Sequence, residues 1–140
     1  MKFPIGIQSF ESLRSEGFVY VDKTALVKKL VSEGKCYFLS RPRRFGKSLL
    51  MSTIEAYFKG KKHLFEGLAM AELETEWNEY PVLHLDLNAK PYTKLQDLYD
   101  LLDDQLTFYE RQYDSVATDK SPEGRFRQLI RSAKQKTGRG

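Results

Sequence analysis

Apolar residues recur along the chain with a helical spacing in six regions. These regions are residues 10–14, 22–34, 46–60, 63–77, 94–113 and 121–137. Asp22 is placed to cap the second of them and Gly34 to end it. In the fourth, Gly67 should break the segment into one or two short helices. Ser121 can cap the last helix, with Pro122 at the first helical position, where its missing N–H does no harm.

Between the helical regions lie short apolar runs that are typical of strands. Cys36–Leu39 is continuous and apolar, Val82–Leu87 is the second run, and residues 18–21 form a weaker third. Helices that alternate with such runs predict an α/β fold with a mostly parallel sheet flanked by helices. Two firm strands are fewer than the five or so of a self-sufficient sheet, so we expect the sheet to be incomplete.

Composition adds few constraints. The 140 residues fit one domain, and the formal charge of +4 permits contact with phosphates or nucleic acid without requiring it. Cys36 is the single cysteine and lies in an apolar run, which predicts a buried thiol and excludes an intrachain disulfide. The sequence shows neither a signal peptide nor an apolar stretch long enough to span a membrane, so we expect a cytoplasmic protein.

A phosphate-binding loop is the strongest functional signal. The string Arg41-Pro-Arg-Arg-Phe-Gly-Lys-Ser48 follows the first firm strand by one residue and opens an amphipathic helix, as a phosphate-cradling loop must. In such a loop, unpaired backbone N–H groups at the helix start converge on the anion. Gly46 lets the backbone approach the phosphates, Lys47 reaches the β- and γ-phosphate oxygens, and the Ser48 hydroxyl ligates Mg²⁺.

One fixed position of the phosphate-loop template G-x-x-x-x-G-K-[ST] is not matched. Arg41 stands where the first glycine should be, and arginine cannot freely adopt the unusual dihedrals that are open to glycine. The alternative interpretation is a solvated basic turn made by Arg43, Arg44 and Lys47. Phe45 would then be an ordinary staple that packs onto the following helix.

Four segments of the chain resemble the bacterial AAA-ATPase-like family. They are Ile5–Phe10, Tyr20–Thr24, Tyr37–Leu49 and Tyr80–Asp86. In that family arginine occupies the first-glycine position as a rule, so the resemblance turns the mismatch at Arg41 into support. It implies a P-loop NTPase-type domain with ATP and Mg²⁺ as cofactors.

The predicted nucleotide site combines the loop with the first turn of the helix. Its members are consecutive: Arg43, Arg44, Phe45, Gly46, Lys47, Ser48 and Leu49. Lys47 is the predicted catalytic residue and Ser48 the predicted metal ligand. Arg43 and Arg44 can neutralise phosphate charge, since a guanidinium group pairs with phosphate through two hydrogen bonds.

The resemblance also implies what should follow this domain. Family members typically carry a C-terminal nuclease-like domain of the PD-(D/E)XK type. In them, a helix that ends like Thr137–Gly140 leads into an apolar strand, the Walker B strand, whose acidic residues hold Mg²⁺ and activate water. We therefore expect residues 1–140 to be an N-terminal fragment, truncated before that strand, of an ATPase that controls a nuclease-like effector. Hydrolysis by the fragment should be weak or absent.

Other candidate residues each have a structural alternative. Asp86 ends an apolar run and could act on Mg²⁺ or water. The resemblance implies that this run is the strand next to the one that holds the metal, which favours a structural role for Asp86. Tyr20 and Lys23 fall in the segment that resembles the family's base-proximal region, where the alternatives are a core aromatic residue and a capped helix start. His63 lies among lysines and is expected to be solvated. Two histidines and one cysteine do not support a structural zinc site.

Charge is segregated between the last two helical regions. Between Leu95 and Asp114, six acids oppose Arg111 alone, and between Lys120 and Gly140, seven bases oppose Glu123 alone. The two helices could pair electrostatically, present two solvated outer faces, or use the basic helix with the basic loop to hold nucleic acid. For the function of the domain, a nucleotide-binding switch that does not hydrolyse its ligand is a further alternative, beside an ATPase and a nucleic-acid-binding domain. The sequence does not indicate an oligomeric state.

Overall fold

A computed structural model describes residues 2–42, 44–89, 91 and 93–139 of the chain. Its helices are α1 (Phe10–Ser15), α2 (Thr24–Glu33), α3 (Lys47–Phe58), α4 (Ala69–Leu73), α5 (Leu95–Gln112) and α6 (Pro122–Thr137), with a 3₁₀ turn at Lys62–Phe65 before α4. None of the helices in these ranges has both the length and the apolar character that crossing a lipid bilayer requires.

The prediction of a parallel sheet is wrong. The described ranges hold helices and no strand, and the only bridges found there are isolated ones, Lys2 with Phe18 and Lys59 with Glu79. A strand of a parallel sheet needs a neighbour along its edge and cover on its faces. The run Cys36–Leu39 has neither, since all four side chains are exposed, Phe38 by 93%. The thiol of Cys36 is exposed as well, so the prediction of a buried cysteine is also wrong.

The helices predicted from apolar spacing are confirmed. Gly34 ends α2, and the break expected at Gly67 separates the 3₁₀ turn from α4. Ser121 caps α6 by accepting a hydrogen bond from the backbone N–H of Gly124, and Pro122 is the first helical residue. These signals depend on a few adjacent residues, which explains why the sequence alone was sufficient to locate them.

The chain divides into two compact units, residues 1–79 and residues 80–140. The first unit contains α1 to α4 around one apolar cluster, whose buried members are Phe10, Val27, Ala56, Leu64, Phe65, Leu68 and Met70. Aromatic rings form its centre: Phe10 lies 4.9 Å from Phe65 between centroids, and Phe65 lies 5.1 Å from Trp77. The helix α3, which follows the basic loop, is anchored in this cluster through its buried Ala56.

Asp22 joins the starts of two helices in the first unit. Its Oδ1 accepts hydrogen bonds from the backbone N–H and the hydroxyl of Thr24 at the start of α2, and its Oδ2 accepts one from the N–H of Ala69 at the start of α4. The Thr24 hydroxyl oxygen in turn accepts from the N–H of Met70. Burial opposes ionisation of Asp22, but these hydrogen bonds outweigh it and hold the pKa of the carboxyl below its ordinary value.

The second unit is built from α5 and α6, which pack around Leu106, Tyr113, Leu129 and Ala133. Of the three alternatives left open for these charged helices, electrostatic pairing is observed at two points. Arg125 of α6 donates two hydrogen bonds to the carboxylate of Glu110 and forms an ion pair with Asp103, and Lys136 pairs with Asp114 at 2.6 Å. Three other cations of α6 are exposed and have no described ion-pair partner: Arg127, Arg131 and Lys134.

The apolar run Val82–Leu87 is paired with side chains and not with a strand. The Tyr109 hydroxyl of α5 accepts from the N–H of His84 and donates to its carbonyl. Gln105, one turn earlier, makes the same two-point contact with the backbone of Asp86. Alternate residues of an extended segment present their backbone groups to the same side, which is why side chains four residues apart on α5 can satisfy both.

Candidate functional site: the loop before α3

The φ angle changes sign from residue to residue over the short stretch 44–47, where the loop enters α3. Arg44 has φ of 68° and Gly46 has φ of 74°, whereas Phe45 between them is not in the positive region and Lys47 after them is helical. Successive residues that alternate between left- and right-handed conformations turn their N–H groups toward one side, which forms a concave site for an anion. Residues 44–47 share this alternation of sign.

The first amides of α3 follow directly after this stretch. The N–H of Leu50 donates to the carbonyl of Gly46, but those of Ser48 and Leu49 donate to no other residue that the structure describes. Such free amides and the helix macrodipole both favour a negative charge at the start of α3. The Ser48 side chain is exposed, and its hydroxyl makes no hydrogen bond to a described residue.

Lys47 folds back over the loop. Its ammonium group donates hydrogen bonds to the carbonyl of Arg41 at 2.5 Å and to that of Pro42 at 2.9 Å. These two hydrogen bonds connect the start of the loop to its end. The ammonium group belongs to the same short segment as the Ser48 and Leu49 amides, which have no described acceptor. The positive charge has no carboxylate partner among the described ion pairs.

Arg41 does not need the backbone freedom of glycine. The positive φ angles in the loop fall at Arg44 and Gly46, and Arg41 is not among the residues with positive φ. An arginine in place of the template glycine therefore causes no backbone strain at position 41. The Lys47 ammonium group contacts the carbonyl of Arg41, a group that every residue type has. The sequence did not reveal that Arg44 adopts the left-handed conformation, because arginine gives no signal for a positive φ angle.

Most of the predicted site residues lie on one short exposed stretch. Arg44, Phe45, Gly46 and Ser48 are exposed, while Lys47 and Leu49 are half-buried, and Leu49 packs against the apolar cluster of the first unit. Arg43 lies outside the described residues. Phe45 is 62% exposed and so does not pack as a staple onto α3, which removes the packing part of the basic-turn interpretation. The ligand contacts assigned to these residues stay predictions.

The carboxylate of Glu74 connects α3 to α2. Glu74 accepts hydrogen bonds from the ammonium group of Lys28 and from the hydroxyl of Tyr57, both at 2.5 Å, and from the N–H of Glu76. These contacts lower the pKa of Glu74 to about 2, the bond from Lys28 being the largest cause and the one from Tyr57 the next. Lys28 lies on α2 and Tyr57 on α3, so a buried charge ties the loop's own helix to its neighbour.

The other sequence candidates have structural contacts. Tyr20 is half-buried against Phe10, with ring centroids 5.3 Å apart, and burial raises the pKa of its phenol. Asp86 accepts from the N–H of Asn88 through its carboxylate and so stabilises a turn. Lys23 immediately precedes α2 and makes no side-chain cap. In the described parts of the chain, no three His, Cys, Asp or Glu side chains converge as a ready metal site.

Comparison with known proteins gives a family match. Residues 4–140 match the AAA-ATPase-like family, which is described as "Predicted AAA-ATPase". A protein of Azotobacter chroococcum mcd 1, described as an uncharacterized protein in the vnfD 5' region, is 39% identical over 134 residues. That alignment covers 94% of this chain and 26% of the relative, so the chain spans about a quarter of the relative's length. No solved structure matches the chain significantly.

Proposed function

The chain belongs to the family of predicted AAA-ATPases, and from that premise we propose that it binds Mg·ATP through the loop of residues 41–48. In the intact protein this binding would serve an ATPase that controls a C-terminal nuclease-like effector. The basic loop supplies the phosphate contacts, with Arg43 and Arg44 adding guanidinium charge to the amides at the start of α3.

The alternating backbone of the loop is the observation that carries this proposal. A solvated basic turn needs no left-handed residue, and a left-handed arginine is uncommon because its Cβ crowds the backbone. At Arg44 and Gly46 the chain adopts that conformation twice in three residues, beside amides that no described group satisfies. A polyanion provides acceptors for these amides, which offsets the cost of the conformation.

Mg²⁺ fits the same geometry. This ion keeps several waters and takes one or two protein oxygens together with phosphate oxygens, so it needs no cluster of carboxylates. Ser48 offers an exposed hydroxyl oxygen without a described partner at the helix start, where the phosphates would lie. When bound, the ion would neutralise phosphate charge. Ser48 would hold it against the cradle.

Lys47 is the residue whose removal tests the proposal most directly. Lys47→Ala should lower Mg·ATP affinity at least tenfold, since a charge-assisted contact to phosphate is worth roughly 1.5–3 kcal/mol. Titration calorimetry with the full chain measures this. Lys35→Ala is the matched control, because Lys35 is exposed, makes no described ion pair and carries the same charge close by in sequence. Equal affinity for Lys47→Ala and the wild type would refute the proposal.

A second candidate function is nucleic-acid binding through α6. The observation in its favour is the row of exposed cations at Arg127, Arg131 and Lys134, which share one helix face. This function predicts affinity for a DNA or RNA oligonucleotide that falls steeply with salt and survives Lys47→Ala.

Phosphate release measured on the full-length protein would separate an ATPase from a nucleotide switch without turnover.

A further inference from the structure

The exposed side of α6 carries a stripe of four residues at helical spacing. These residues follow the i, i+3, i+4, i+7 pattern, so their side chains lie along one side of the helix: Arg127, Ile130, Arg131 and Lys134. All four are exposed, Ile130 by 48%, and the three cations make no ion pair that the structure describes. The basic stripe therefore consists of three charges around one exposed apolar side chain.

The exposed side of α5 carries a stripe with charge of the opposite sign. Asp100, Asp103 and Asp104 are exposed, and Phe108, one turn after Asp104, is 63% exposed. A cavity of about 720 Å³ lies along this side, lined by Asp103, Asp104, Thr107, Phe108, Arg111 and Gln112. Arg111 is the one base in the sequence of α5, so the acidic stripe is anionic over most of its length and ends beside an exposed aromatic ring.

The two stripes cannot meet within one chain. Leu106 and Leu129 belong to the apolar contact between α5 and α6. Asp104 and Arg131 each lie two positions from one of these leucines, which is a rotation of about 200° on a helix. Both charged side chains therefore project away from the contact between the two helices, and a cation that faces the acidic stripe has to come from another molecule.

The stripes match in spacing as well as in charge. Asp100 and Asp104 are about one helical turn apart, and so are Arg131 and Lys134, so two acids of one helix can face two cations of another. Association would also remove Phe108 and Ile130 from water. A nucleic acid would meet the cations of α6 but has no use for the acidic stripe. A second copy of this chain supplies a partner for both stripes.

We infer that the second unit docks on copies of itself, with the acidic stripe of α5 in one copy against the basic stripe of α6 in the next. The contact is heterologous, because two different surfaces meet, so a pair of copies can recruit a further one. A contact between single helices is smaller than the standard interface of about 800 Å² per partner, so we expect a weak Kd of roughly 10–100 µM. The inference does not depend on nucleotide binding at residues 41–48.

Sedimentation velocity of the nuclease-treated full chain measures this association, over roughly 1 µM to 1 mM. The average mass of the wild type should increase with concentration and fall toward that of one chain as salt is added. Asp100→Lys combined with Asp104→Lys should raise the Kd at least tenfold, and so should Arg131→Glu combined with Lys134→Glu, because each change places like charges opposite each other.

A mixture of these two double variants distinguishes lost docking from lost folding. The first variant has two basic stripes and the second has two acidic ones, so neither fits itself and each fits the other. An equimolar mixture should therefore associate with a Kd within about threefold of the wild type. A variant that had failed to fold would not recover in the mixture.

Charge reversals in the first unit are the matched controls. Glu16→Lys with Glu33→Lys, and Lys29→Glu with Lys35→Glu, change the net charge equally at exposed positions and should leave the Kd unchanged. A wild type that stays monomeric over the whole range would overturn the inference, and so would a mixture no more associated than its components. Association that disappears on nuclease treatment would overturn it as well, and would favour nucleic acid as the ligand of α6.

Discussion

Left-handed backbone at single residues shapes the loop, and glycine and arginine meet this requirement differently. Gly46 accepts a φ of 74° without strain, because it has no Cβ to crowd the carbonyl. Arg44 adopts 68° at a cost of about 1 kcal/mol. The Lys47 ammonium group bonds to two carbonyls earlier in the loop, those of Arg41 and Pro42.

Gly46→Ala should weaken phosphate binding more than it weakens the fold. The added Cβ meets no neighbour within 4 Å, so the whole effect is backbone strain of about 1 kcal/mol, which the loop relieves by turning its amides away from the ligand. Gly67→Ala is the matched control, with φ of 73°, equal open space and a position between the 3₁₀ turn and α4. Urea unfolding should show similar losses for the two variants, whereas calorimetry should show weaker Mg·ATP binding only for Gly46→Ala. Equal binding losses would mean that loop shape is unimportant.

Helix ends and helix faces were predictable from the sequence, and the extended segments were not. Ser121, Pro122, Gly34 and Gly67 act within one turn of chain, so their effect is visible in the local pattern. Whether Cys36–Leu39 becomes a strand depends on a partner for its backbone, and no local residue encodes that partner. The contacts of Ser52 with residues 8–10 were missed for the same reason, since they join residues more than 40 positions apart.

The link from Glu74 to α2 and α3 should make the first unit sensitive to acid. The folded pKa of Glu74 is about 2 against an ordinary 4.5, so its ionised form stabilises the fold by about 3 kcal/mol at neutral pH. A lowered pKa contributes stability that is complete above pH 4.5 and is lost as the pH falls toward 2. Glu74→Gln should therefore lower the free energy of unfolding at pH 7 and flatten its decline between pH 4.5 and 2.

Glu33→Gln is the control for Glu74→Gln, because it removes an exposed carboxylate. Glu33 is 62% exposed in its side chain and lies 4.0 Å from Lys29, a surface pair worth little. Glu33→Gln should leave the pH profile of unfolding parallel to that of the wild type. Identical slopes for the wild type and Glu74→Gln between pH 4.5 and 2 would contradict the role given to the buried carboxylate.

At the scale of the whole molecule, each compact unit has a charged side chain that joins two of its helices: Glu74 in the first unit and Arg125 in the second. Arg125 joins α6 to α5 through two hydrogen bonds to Glu110, one to Thr107 and an ion pair with Asp103, and its side chain is only 14% exposed. These acids hold the pKa of its guanidinium above the ordinary value, Glu110 being the largest cause. The apolar core of this unit is small, so the link supplies much of what fixes one helix on the other.

Arg125→Ala should loosen the second unit first, because it leaves the half-buried Glu110 carboxylate without its cation, at a cost of about 3 kcal/mol. Hydrogen exchange followed by mass spectrometry should show the largest loss of protection in residues 95–137 and a smaller change in residues 10–73. Arg127→Ala is the control, since it removes an exposed cation on the same helix that makes no described ion pair. An equal loss of protection across both units would contradict this expectation and would show that the chain unfolds as one body.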